Sequence, residues 1–135
     1  MSKAYDRIEW GFLRSILLKL GFDVVWVNLI MLCVTTDTYK ITREELELGP
    51  IVPSRGLRQG DPLSPYLFII CAEGLSLQIN HYERAGMIHG ARVARGAPLV
   101  SHLFFADDSF LFFKATIQEA HLVKKILATY EAASG

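Results

Sequence analysis

Ser54-Arg-Gly-Leu-Arg-Gln-Gly-Asp-Pro-Leu-Ser-Pro65 is the stretch on which the reading of this chain turns. Two glycines flank Leu57-Arg-Gln59, so the backbone there can take conformations and close approaches that a Cβ would forbid. Asp61-Pro62 and Ser64-Pro65 then offer two overlapping helix starts, each a capping side chain followed by proline at a first helical position. An irregular loop opening directly into a helix that runs to about Tyr82 is the expectation. Gln59 can both donate and accept, and Arg55 and Arg58 can meet phosphates, so the loop can receive a ligand. Read alone, the same residues are better explained as a surface loop that starts a helix.

Downstream, Leu99 to Phe105 and Ser109 to Phe113 are short runs rich in Phe, separated by Ala106-Asp107-Asp108. They predict a β-hairpin with acidic residues at its tip. Two adjacent carboxylates against apolar strands repel each other and lose solvation, and a hard cation such as Mg²⁺ would compensate both. Read alone, Asp is simply a favoured turn residue, and that account is the better one for an isolated pair. Ala120, Val123, Ile126, Leu127 and Tyr130 then mark a last helix ending near Gly135.

Upstream, Trp10, Leu13, Leu17 and Leu20 fall at helical spacing, with Gly21 as a stop. Asp23 is the expected N-cap of a second helix, Val24 to Val34, apolar nearly all round and therefore expected to be buried. The β-branched and aromatic residues from Thr35 to Thr42 predict a strand that turns at Arg43-Glu-Glu45 and returns towards Leu48. Helices, hairpin, helix, hairpin and helix together make an α+β domain.

Composition bounds the rest. A chain of 135 residues, 51% apolar, can bury one core, so a single domain over 1–135 is expected. Lys and Arg number 14 and Asp and Glu 14, whereas nucleic-acid domains that fold alone usually carry a basic excess. Cys33 and Cys71 lack zinc-ligand spacing and read as small core residues in a reducing compartment. No stretch reaches the roughly 20 apolar residues of a membrane span and no signal peptide precedes Trp10, so an intracellular protein of nucleus or cytoplasm is expected. His81, His89, His102 and His121 are scattered and read as surface or strand residues, Arg92 and Arg95 as solvated loop residues. Glu73 and Glu119 lie on helical faces without a supporting motif.

Taken in order, Ser2-Lys-Ala-Tyr-Asp-Arg-Ile-Glu-Trp10, Gly56-Leu-Arg-Gln-Gly-Asp-Pro-Leu-Ser-Pro65 and Phe105-Ala-Asp-Asp108 resemble three polymerase motifs of LINE-type (non-LTR) retrotransposon reverse transcriptases, of the kind abundant in plant genomes. Leu20-Gly-Phe22 and Ser101-His-Leu-Phe-Phe105 also fit, and the resemblance is weakest from Thr36 to Leu48. It implies an RNA-directed DNA polymerase acting on an RNA template, a DNA primer and deoxynucleoside triphosphates through two Mg²⁺ ions about 4 Å apart. Asp107 would be the principal metal ligand and Asp108 the neighbouring acid. Arg58, Gln59 and Gly60 would line the nucleotide, and Tyr5 would lie beneath its sugar, where a ribose 2′-hydroxyl clashes.

The resemblance also places an aspartate five residues before Tyr5, ahead of Met1, and further palm segments and a thumb beyond Gly135. It therefore implies a partial palm with part of the fingers, a fragment inactive alone. Asp6 would face away from the metals. Without its first palm strand the Phe104 to Phe113 hairpin should show an exposed apolar edge, or a helix laid over it. An unrelated Mg²⁺-dependent phosphotransfer or hydrolase domain would need further carboxylates or a lysine in a motif of its own.

Overall fold

The structure, a computed structural model, describes residues 4–43, 46–105 and 108–135. The chain is α+β, with five helices and two separate two-stranded antiparallel sheets among these residues. It divides into two compact units, Lys3–Cys71 with Ser134–Gly135, and the stretch Ala72–Ala133.

The first unit holds α1 (Ala4–Arg7), α2 (Trp10–Lys19), α3 (Val24–Thr35), β1 (Tyr39–Arg43), β2 (Leu46–Ile51) and the opening turns of α4 (Ser64–Arg84). Helix α2 buries Leu13, Ile16 and Leu17, the stripe expected from its periodicity. It closes at Gly21, where Phe22 donates its N–H to the Leu17 carbonyl and Gly21 to that of Leu18, a Schellman ending. Asp23 caps α3 through a 2.8 Å bond to the Val25 N–H. Ile8, Leu13, Leu17, Val27, Ile30, Leu57, Leu67 and Cys71 form one core cluster, each large aliphatic side chain contributing about 1.5–3 kcal/mol by leaving water.

Three expectations fail in this unit. Thr35 and Thr36 are the end and C-cap of α3 rather than the start of a strand, with hydroxyls donating to the carbonyls of Met31 and Leu32. Local i−4 bonds outweigh β propensity there. Helix α3 buries only Val27 and Ile30, leaving Val25 at 66%, Leu29 at 57% and Leu32 at 58% exposure. Its packing against α2 covers one stripe, so an apolar circumference does not guarantee burial. Cys33 is exposed, while Cys71 is buried. The hairpin of β1 and β2 pairs Arg43 with Leu46, and Glu44 and Glu45 of its expected turn lie outside the described residues.

The second unit holds the rest of α4, β3 (His102–Phe105), β4 (Asp108–Leu111) and α5 (Ile117–Ser134). Helix α4 ends two residues beyond the expected Tyr82, through bonds from Gly86 to Glu83 and from Met87 to Tyr82. Leu75, Ile79, Ile88 and Ile126 make its core, against which Phe104 and Leu111 pack from the hairpin. β3 and β4 pair His102 with Leu111 and Phe105 with Asp108, with no third strand among the described residues. The outer face carries Leu103, Phe105 and Phe110, Phe105 being 72% exposed. An exposed apolar edge is the expectation; the apolar exposure observed lies on a face of the hairpin. No helix among the described residues is long and apolar enough to cross a membrane.

Candidate active site

Two segments 46 to 52 residues apart in sequence are joined through their main chains in the first unit. Leu57 donates its N–H to the Tyr5 carbonyl at 2.7 Å, and Gly56 to the Ile8 carbonyl at 2.8 Å. The Trp10 indole Nε1–H closes the set on the Gly56 carbonyl at 2.8 Å. Gly56 has φ +92, and a Cβ there would stand 2.9 Å from the Asp6 carbonyl oxygen, so the residue has to be glycine for the segments to touch. The Tyr5 ring stacks on Phe68 of α4, centroids 4.7 Å apart and planes at 10°. Tyr5 is thus held at its backbone and at its ring.

Leu57 is buried, and it anchors the loop from within the core. Arg58, Gln59 and Gly60 follow it into solvent. Arg58 lies 3.7 Å from Asp37, with its guanidinium 5.9 Å above the Tyr39 ring. Gly60 has φ +88 and nothing within 4 Å of where a Cβ would be, so its side is open to a ligand. Asp61 does not cap α4. Its Oδ1 accepts the Leu63 N–H at 2.7 Å, forming the turn from which α4 starts at Ser64.

Asp108 opens β4 in the second unit, exposed and paired with Phe105. Asp107 and Ala106 lie outside the described residues, as does Lys3. Asp6 is exposed on α1. Among the described residues no three His, Cys, Asp or Glu side chains converge. The donor chemistry of Asp107-Asp108, carboxylate oxygens only, suits a hard divalent cation, with the ligand set to be completed by other oxygens.

Sequence reading missed two polar clusters in this unit. Glu119 is 6% exposed, and its carboxylate accepts the N–H groups of His89 and Lys114, each at 3.0 Å, and faces His89 Nδ1 at 2.8 Å. Burial pushes its pKa up, but these hydrogen bonds outweigh that and hold it below the ordinary carboxylate value. A signal existed: Thr116-Ile-Gln-Glu119 has capping-box spacing, and Thr116 Oγ1 does accept the Glu119 N–H. The second cluster joins Glu83, Ser101, His102 and Ser76. It joins one pair on α4 to an adjacent pair at the start of β3, 18 to 26 residues on, and no spacing rule would have brought the two pairs together.

Residues 1–134 match the family described as reverse transcriptase (RNA-dependent DNA polymerase). An uncharacterized mitochondrial protein of Arabidopsis thaliana is 54% identical over 61 residues, which cover 45% of this chain and 50% of that protein. A retrovirus-related Pol polyprotein from the type-1 retrotransposable element R2 of Nasonia vitripennis is 29% identical over 111 residues, covering 82% of this chain and 10% of the polyprotein. The chain thus matches half the length of one curated relative and a tenth of the other.

Proposed function

Since the chain belongs to the reverse transcriptase (RNA-dependent DNA polymerase) family, we propose that it is a palm-and-fingers segment of a non-LTR, LINE-type RNA-directed DNA polymerase, inactive by itself and competent within a longer chain. The observation that supports this reading is the main-chain junction of Tyr5 with Leu57, which joins Tyr5 to the glycine-flanked Arg58-Gln59 loop within one unit. In that reading Gln59 and Arg58 meet the incoming deoxynucleoside triphosphate. Arg58 is exposed, and its 3.7 Å pairing with the half-buried Asp37 is long enough to yield to a phosphate. Gly60 leaves room for the base, and Tyr5 excludes a 2′-hydroxyl.

Asp107 and Asp108 would hold magnesium, their carboxylate oxygens suiting a hard divalent cation whose remaining ligands are other oxygens. Bound there, the ions would activate the primer 3′-hydroxyl and stabilise the leaving pyrophosphate. RNA template and DNA primer are the partners of the longer chain. The charge balance of 14 against 14 fits a segment whose basic nucleic-acid channel lies elsewhere.

Tyr5→Ala in the longer chain tests the sugar-floor assignment. Because Tyr5 is held by its backbone and stacked on Phe68, its loss should open the site to ribonucleotides and reduce selection for deoxynucleotides by about tenfold or more, a barrier difference of about 1.4 kcal/mol. Unchanged sugar selection would remove Tyr5 from the site. The same zero net charge favours a second reading, a non-catalytic retroelement remnant with at most weak nucleic-acid binding, which expects no nucleotide incorporation from either chain.

A further inference from the structure

We propose that Glu83 and His102 are positioning residues for the acidic hairpin, acting through a one-directional hydrogen-bond chain that fixes the His102 tautomer. Naming the hairpin's load as the acidic pair rests on the polymerase reading above; the chain itself does not.

Ser101 is 3% exposed, and its hydroxyl donates to Glu83 Oε2. A serine hydroxyl has a single proton. Towards His102 Nδ1, 3.1 Å away, the same oxygen can therefore only accept, so Nδ1 carries the hydrogen. The neutral ring then has a bare Nε2, which accepts from the Ser76 hydroxyl at 2.8 Å. Every proton is assigned, and each donation runs the same way, from Ser76 through His102 and Ser101 to the Glu83 carboxylate.

Ser76 and Glu83 lie seven residues apart on α4, two turns along one face. Ser101 immediately precedes β3, His102 begins it, and the Ser101 carbonyl accepts the Phe112 N–H just beyond β4 at 2.8 Å. The network consequently grips the β3 leg of the hairpin at the end opposite to Phe105 and Asp108, and the main-chain bond from Phe112 ties the other leg to that anchored end. A serine-nucleophile reading does not fit. Ser76 is in the interior of α4, where neighbouring N–H groups are spent on the helix and none is left to stabilise an oxyanion.

Removing the Glu83 carboxylate frees the Ser101 proton to turn towards His102 Nδ1. The ring should then carry its hydrogen on Nε2, Ser76 should accept, and the chain should reverse. A side chain that merely filled space would leave the tautomer alone.

The test is long-range ¹H–¹⁵N spectroscopy of the histidines of this chain at pH 8, where free imidazole is neutral. The expected result is Nδ1–H for His102 in the wild type and in Ser76→Ala, and Nε2–H in Glu83→Ala. Amide exchange at Phe105 and Asp108 should quicken about tenfold or more in Glu83→Ala. Nε2–H in the wild type overturns the proposal without any variant, and so does an unchanged tautomer in a folded Glu83→Ala. Unchanged exchange at Phe105 and Asp108 refutes the positioning role. None of these readouts uses activity, so a longer chain that fails to polymerise would remove the polymerase reading while leaving this outcome standing.

Discussion

The backbone N–H of Leu57 is bonded to the carbonyl of Tyr5 at 2.7 Å, and that contact exists because Gly56 lets the two main chains meet. Gly56→Ala would set a Cβ 2.9 Å from the Asp6 carbonyl at a φ of +92. Strain of this kind costs about 1–3 kcal/mol. Urea unfolding should show a loss in that range, and a variant as stable as the parent would mean that the segments are not joined as described.

Much of this arrangement was legible before the structure. Gly21 and Asp23 punctuate α2 and α3 where their chemistry places them, and Ser64 starts the long helix. What could not be read was tertiary. Burial of α3 depends on how much of its circumference finds a partner, which Val25 and Leu29 cannot report from sequence. Asp61 serves a turn rather than a cap, its Oδ1 accepting the Leu63 N–H one residue ahead of α4. Tyr5 and Gly56 were each recognisable from family resemblance, but their junction is a long-range main-chain contact that leaves no local pattern. His102 looked like an ordinary strand histidine because its partners, Ser76 and Glu83, lie on another element.

Glu119 should give the second unit a pH-dependent increment of stability. Its folded-state pKa is lowered, so the increment is fully present above the unfolded value of about 4.3 and is lost as pH falls through the folded value. Denaturation midpoints of wild type and Glu119→Gln should therefore differ more at pH 7 than at pH 3. An equal gap at both would show that the carboxylate's charge does not matter to the fold.

The outer face of the β3–β4 hairpin should bind apolar probes. Leu103 and Phe110 sit opposite each other on it, exposed by 53% and 51%. Contiguous apolar surface on an unprotected sheet invites association. Replacing both by Thr should lower dye binding and light scattering with little change in unfolding midpoint. A large stability loss would show that the face is packed in solution.

The two thiols should differ sharply towards a disulfide reagent at pH 8. Cys33 is exposed, whereas burial pushes the Cys71 thiol up to about 12. Reactivity follows the accessible thiolate. One thiol should react at once and the second only on denaturation; two fast thiols would contradict the packing of Cys71.

Primer extension on an RNA template with Mg²⁺ and deoxynucleotides addresses the polymerase assignment most directly. It should compare this chain with one lengthened upstream through the first carboxylate and its strand, and downstream through the thumb. The account predicts extension by the longer protein alone, abolished by Asp107→Ala; extension by this chain itself, or none by either, would contradict it.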